Sequence, residues 1–368
     1  MSVPRRPRED WVVVRPGGET RWGGEIRRRH IFAQLARRTD AHVIDIWPKL
    51  RRHVVGRRWQ LWRRLRERPV PLLVSAEQAP PSWIAKIPEL AIPVAVAIYD
   101  DPSVQLRALG VAALDTRIAG LRLRLEQNRD LFHSLVVPTA SFAELVGLPA
   151  DRTIVGGNGT IVSHIRPRPW PSRPSIGMVS GAAPGRGIEL LIEAARLLRA
   201  THSDLVLHLW LQPTGDEGVT YLAALRAAAP EPWIEIGPAP YATLGDALGQ
   251  ATVLTIPHPP GTYMDVALPV KLFDSMAAGR PLVVTPRLET ARVIERFGVG
   301  VVAGGDHLDD VAAALDRLLG DEALTRELGA KARETAEREF DWPILGNRIA
   351  DEVFSREGIG SGQRPPAP

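Results

Sequence analysis

Lys271 and Asp274 stand three residues apart in the run Pro269-Val-Lys-Leu-Phe-Asp-Ser-Met-Ala-Ala-Gly-Arg-Pro-Leu-Val-Val-Thr285. On a helix that spacing puts an ammonium and a carboxylate on one face. Proline suits a first helical turn, where its missing N–H costs nothing. Gly279 is the usual stop just past a helix end, and residues 281–285 read as a buried strand. At the mouth of a parallel sheet, such a pair can hold a ligand with both phosphate and hydroxyls. That describes a nucleotide sugar.

A second constellation is Gly181-Ala-Ala-Pro-Gly185-Arg186-Gly187, which follows a predicted strand at 175–180. A glycine-rich turn at a helix start leaves backbone N–H groups unpaired, with the positive helix end behind them. It suits a diphosphate, and the fork of Arg186 can bind two phosphate oxygens.

The run around Lys271 resembles the donor-site element of the GT-B glycosyltransferases, especially the retaining family 4, the group 1 glycosyl transferases. Their hallmark is Pro-x-Lys-x-Phe-Glu-x-Met-Ala-x-Gly-x-Pro-Val-Val. The resemblance covers most of the chain and is strongest from about Ser175 to Phe354. It extends to the Gly23-Gly24 turn, to Val136-Val-Pro-Thr-Ala-Ser141, to Asn158-Gly159-Thr160 and to Glu339-Phe-Asp-Trp342. It implies that Arg186, in the place of the family's usual lysine, and Lys271 face the departing diphosphate. Gly24, Gly181, Gly185 and Gly187 then border the donor, and Asp274, one methylene shorter than the usual glutamate, takes the ribose hydroxyls. The family's earlier glutamate is replaced by Val266, with Asp265 next to it as the substitute. Residues 259–265 become the sugar-reading loop, with Thr262 and Tyr263 as hydroxyl partners. Asp100 lies where many members have His-Asp. It either orients the acceptor hydroxyl or acts as its base, or else it caps the next helix. Retention of configuration is likewise what the resemblance implies.

The elements around these residues read as α/β. Predicted strands at 11–14, 41–46, 70–75, 93–98 and 135–138 alternate with helical patterns. A second series follows at 175–180, 204–210, 233–236, 251–256, 281–285 and 299–303. Strands alternating with helices predict doubly wound parallel sheets. The expected architecture is two Rossmann-like domains facing each other across a cleft, as in GT-B. Residues 1–160 form the acceptor-side domain, 161–174 a proline-rich linker and 175–340 the nucleotide-sugar domain. A helix at 341–357 crosses back to the first domain, and 358–368 is a disordered tail rich in Gly and Pro.

Composition narrows the function further. The 368 residues suffice for two cores, and a mean hydropathy of -0.07 fits a globular chain. With no cysteine, thiolate chemistry and cysteine-ligated metals are excluded. No histidine pair has metal-ligand spacing, and Arg186 and Lys271 can stabilise a leaving diphosphate electrostatically, so neither cofactor nor metal is expected. His258, in the proline-rich loop near the donor site, is the one histidine with a ligand-contact reading. The basic start lacks an apolar segment behind it, which argues against a secretory signal and for the cytoplasm.

The formal net charge of +4 is unevenly placed. Residues 1–75 hold 19 Lys/Arg against 7 Asp/Glu, and the remainder 27 against 35. Within this basic fifth, Leu50, Val54, Leu61, Trp62 and Leu65 share a helical face, with Arg52 and Arg63 opposite and Arg57 and Arg64 flanking. A cationic amphipathic helix at 50–68 can rest on an anionic membrane, or pack as a crossover helix with solvated arginines. Nucleic acid is a poorer partner, since Trp59 is the only aromatic on the charged face. The sequence thus predicts a glycosyltransferase acting on a glycan, lipid-linked or small-molecule acceptor. A non-catalytic nucleotide-sugar-binding homologue and sugar-nucleotide epimerisation are the alternatives.

Overall fold

Two six-stranded parallel sheets organise the described residues of this computed structural model. Described are residues 132–356 except 214 and 239, together with strands at 12–16, 42–46, 72–75 and 95–98 and helical positions 30, 31, 33, 34, 63 and 66. They fall into two compact units, divided between Gly157 and Asn158 and again between Asp341 and Trp342.

The first unit holds β1 (Val12–Pro16), β2 (His42–Ile46), β3 (Leu72–Ser75), β4 (Ala95–Ile98), β5 (Ser134–Val137) and β6 (Thr153–Val155). Their spatial order is β2-β1-β3-β4-β5-β6. All four residues of β5 are buried, so this strand is an almost continuous apolar run rather than an alternating one. Strand β6, three residues long, is an element that the sequence reading lacks. Helix α1 (Ala140–Leu145) follows β5 and is capped by Thr139, whose hydroxyl accepts from the Phe142 N–H at 3.0 Å.

The second unit holds β7 (Ser175–Ala182), α2 (Ile188–Leu198), β8 (Val206–Pro213), α3 (Gly215–Ala228), β9 (Ile234–Gly237) and α4 (Leu244–Leu248). The chain continues through β10 (Val253–Ile256), α5 (Thr262–Val266), α6 (Val270–Ala277), β11 (Leu282–Val284), α7 (Leu288–Phe297) and β12 (Gly300–Val302). Helices α8 (Leu308–Gly320) and α9 (Glu322–Thr335) complete the unit, and a π-helical turn, Ala336–Phe340, leads out of it. The spatial order β12-β11-β10-β7-β8-β9 puts the topological switch between β7 and β10. Two apolar clusters hold the unit together. One gathers Met178, Leu207, Leu209 and Leu315, the other Ile165, Leu272, Phe273 and Val284.

The last helix, α10 (Trp342–Arg356), belongs to the first unit. Trp342 is fully buried there and stacks on His30 with ring centroids 5.2 Å apart, while the Arg356 guanidinium donates to the Asp151 carbonyl at 3.2 Å. No helix among the described residues is long and apolar enough to cross a membrane.

The proline-rich stretch 161–174 is not a free spacer, because it packs on the second unit. Ile165 is fully buried. The buried Arg280 guanidinium donates to the carbonyls of Arg168 and Pro169 at 3.1 and 2.9 Å and to that of Gly249 at 2.9 Å, and it lies 4.2 Å from the Trp170 ring centroid. Arg333 donates to the Ile165 and Ala277 carbonyls at 2.6 and 2.5 Å. Burying a guanidinium costs several kcal/mol. Hydrogen bonds to a charged group contribute ~1.5–3 kcal/mol each, enough to offset that cost and fasten the stretch in place.

Candidate functional site

The carboxyl ends of β7 and β10 meet at the switch point, where an open parallel sheet leaves a crevice for ligands. Helix α2 starts here. Gly185 and Gly187 adopt φ of +71° and +77°, and Gly187 is the N-cap of α2. A Cβ on Gly187 would run into the Pro257 carbonyl at the end of β10. Glycine is therefore required twice over at this position, for its backbone angle and for the close approach. Gly181 is elsewhere than the sequence suggests: it is the penultimate residue of β7, paired with Gln212, and not part of the turn. Strand β7 runs two residues further than predicted.

Arg186 sits between the two turn glycines, half-buried, with its Nε buried and unpartnered among the described residues. Burial lowers its pKa, and Tyr263 on α5 lies close enough to oppose that effect. Lys271 enters from the first turn of α6. Burial, and then the Arg186 charge, bring its ammonium down to about 7. Neither cation has an acidic partner among the described residues. Two cations facing one another without a counter-ion repel, and an incoming anion relieves that repulsion.

Helix α6 begins one residue later than the sequence suggests. Pro269 is its extended N-cap rather than a helical residue, and Gly279, at φ +70°, ends it as expected. Asp274 shares the helix with Lys271 but is buried, which pushes its carboxyl up to about 7. The Thr160 hydroxyl donates to Asp274 Oδ1 at 2.6 Å. One carboxylate oxygen is thus already engaged. Thr160 belongs to a stretch anchored at both ends: Asn158 Nδ2 donates to the Leu268 carbonyl at 2.8 Å, and the Val162 N–H to Asp341 at 3.1 Å. Tyr241, stacked on His164 with ring centroids 4.7 Å apart, has its pKa raised by burial first and then by the Asp274 charge.

The stretch 259–265 runs into the one-turn helix α5, in which Thr262 and Tyr263 are the first two residues. Asp265 is not a free acid. It accepts from Arg287 at 3.1 Å, and the same buried guanidinium grips Asp306 through both carboxylate oxygens at 2.6 and 2.5 Å. Arg287 escapes a sequence reading because its partners lie about twenty residues to either side, outside any helical or strand period. Gly24 and Asp100 lie outside the described residues, so their predicted roles have no geometry here. No group of three or more His, Asp or Glu able to hold a metal occurs among the described residues.

Known proteins place this geometry in context. Residues 173–321 match the family model of the glycosyl transferases group 1. TuaH of Bacillus subtilis (strain 168), named for teichuronic acid biosynthesis as a glycosyltransferase, is 26% identical over 199 residues, covering 54% of this chain and 44% of TuaH. The chain therefore spans less than half the length of that relative. Among solved structures, Anabaena Alr3699/HepE in complex with UDP-glucose superposes with a TM-score of 0.66 at 15% identity, over 95% of this chain and 100% of HepE. The sucrose-phosphate synthase of Thermosynechococcus elongatus gives a TM-score of 0.66 at 15% identity, over 95% of this chain and 99% of that one. Residues 173–321 are thus similar to the glycosyl transferases group 1, and the fold is that of the GT-B glycosyltransferases.

Proposed function

We propose that the chain moves a sugar from a nucleotide-sugar donor to an acceptor, with the donor diphosphate seated at the start of α2. The observation that carries this reading is the pair Arg186 and Lys271, two cations without acidic partners among the described residues, beside the N-terminus of a helix at the switch point. The chemical task is to stabilise a departing nucleoside diphosphate. Charged donors aimed at the developing negative charge do this in a site of low dielectric. Arg186, Lys271 and the first N–H groups of α2 supply them, so the transfer needs no divalent metal. Asp274 receives a ribose hydroxyl, and Thr262 and Tyr263 read the sugar. Gly185 and Gly187 let the backbone come close to the phosphates. The HepE complex with UDP-glucose supports a nucleotide sugar as donor. Transfer with retention, in the cytoplasm, to a glycan or lipid-linked acceptor completes the reading. Asp100 is its candidate acceptor-side residue. Release of nucleoside diphosphate from nucleotide sugars tests the reading.

A non-catalytic homologue is the second reading. The ion pair between Asp265 and Arg287 favours it, because the acid offered in place of the family's earlier glutamate is occupied. Turnover separates the two.

For the acceptor side, the basic helix at 50–68 is the candidate contact with an anionic membrane. Most of it lies outside the described residues, but Arg63 and Arg66 are helical and exposed. Each such cation contributes ~1 kcal/mol near an anionic surface, and salt screens the effect. The chain is expected to sediment with anionic liposomes at low salt and not with neutral ones. Changing Arg57, Arg63 and Arg64 together to Gln should abolish this. Sedimentation that persists in the triple variant would rule this helix out as the contact.

A further inference from the structure

His258 closes the corner between β10 and the loop that follows it. Its backbone is fixed there, since the Thr285 hydroxyl donates to its carbonyl at 2.6 Å and the preceding Pro257 carbonyl lies against Gly187. The side chain is only 2% exposed, and neither ring nitrogen has a hydrogen-bond partner among the described residues. Three cations lie near enough to disfavour its protonation: Lys271 from α6, Arg186 from the turn before α2, and Arg287 from the start of α7. Burial first, and then these charges, hold the imidazole well below the ordinary histidine value, so it stays neutral with one N–H to give.

A structural histidine normally spends its ring nitrogens on carbonyls or carboxylates, because a buried polar group without a partner destabilises the fold. Here Asp265 and Asp306 are both taken by Arg287. The ring and Arg186 Nε are therefore two buried polar groups left unpartnered in one place, beside Lys271 and a helix N-terminus. An anion with several acceptor oxygens would satisfy both.

We infer that His258 is a further ligand-binding residue of this site, its imidazole giving a ring N–H to the same diphosphate that Arg186 and Lys271 hold; this rests on the donor reading above. As a neutral donor it adds a hydrogen bond without adding a fourth charge to an already crowded cationic corner.

Calorimetric titration at pH 7 with UDP and with inorganic pyrophosphate, which lacks base and ribose, tests the inference. Wild-type protein should bind both. His258→Phe should bind each at least tenfold more weakly, and His258→Gln, whose amide supplies an N–H, should stay within about threefold of wild type. Wild-type affinity in a folded His258→Phe protein would overturn the inference and leave the donor reading standing. Failure of the wild type to bind either probe would overturn both. Should His258→Phe fail to fold, ring nitrogen NMR of the wild type decides instead. Pyrophosphate should shift the histidine resonance that is missing in His258→Gln, and an unmoved resonance would overturn the inference.

Discussion

Replacing Lys271 or Arg186 by alanine is expected to weaken nucleoside diphosphate binding roughly ten- to a hundredfold in each case, since a hydrogen bond to a charged group contributes ~1.5–3 kcal/mol. The size of the effect follows from the surroundings of the two cations. No acid among the described residues competes with a phosphate for either one, so the interaction with a ligand is not diluted. The expected stability change has the opposite sign to that of an ordinary core mutation. The Lys271 ammonium is disfavoured by burial and by Arg186, which is why it is brought down to about 7. Removing it takes away an unfavourable charge, and Lys271→Ala without ligand should melt no lower than wild type. Calorimetry and a melting curve on the same protein provide the check. Unchanged affinity would take that residue out of the site. Lost affinity together with a large fall in melting temperature would make its role structural.

The affinity for UDP is expected to pass through a maximum near pH 7. Lys271, lowered to about 7, loses its proton as pH rises through that value, and the attraction for phosphate goes with it. Asp274, raised to about 7, gains a proton as pH falls through the same value, and the ribose loses a carboxylate acceptor. The two limbs therefore have opposite slopes, each approaching about tenfold per pH unit away from the maximum. The groups facing these two are Thr160 and Tyr241 at Asp274, and Arg186 and His258 at Lys271. Arginine stays charged throughout the range, so Lys271→Arg should flatten the alkaline limb alone. Asp274→Asn should flatten the acid limb and lower the affinity at the maximum. Pyrophosphate, which has no ribose, should respond to Asp274→Asn less than UDP does on the acid side, where its own protonation at about pH 6 also weakens binding. A wild-type profile that stays level from pH 5 to 9 would remove the assignment of both residues.

The placement of Lys271, Asp274, Arg186, Gly185 and Gly187 was legible in the sequence because it depends on local spacing: a helix turn, a glycine-rich start, a cap. The strands of the second unit were legible for a related reason. The inner ones, largely buried on both faces, read as apolar runs between turn residues, with ends displaced by up to three positions. What escaped was made by residues far apart in the chain. Thr160 and Asp274 are 114 positions apart, and nothing in either neighbourhood announces the other. Arg287 joins Asp265 and Asp306 in the same way. Strand β6 has only three residues, Thr-Ile-Val, too few for a period to emerge. Glycine at position 181 suggests a turn, whereas in β7 it continues the ladder beside Gln212. His258 stood out only as a histidine near the right loop. The orphaned state of its ring is a property of the folded chain.

Turnover of the donor is the measurement that bears most directly on the proposed function. Purified protein is incubated with a panel of nucleotide sugars that spans the common bases and hexoses, and free nucleoside diphosphate is followed with time. The account predicts slow release from at least one donor without acceptor, faster release once a competent acceptor is added, and a loss of release in Lys271→Ala. Tight binding of a donor with no release under any acceptor would contradict the transferase reading and leave the non-catalytic homologue. Release that is undiminished in Lys271→Ala would contradict the site.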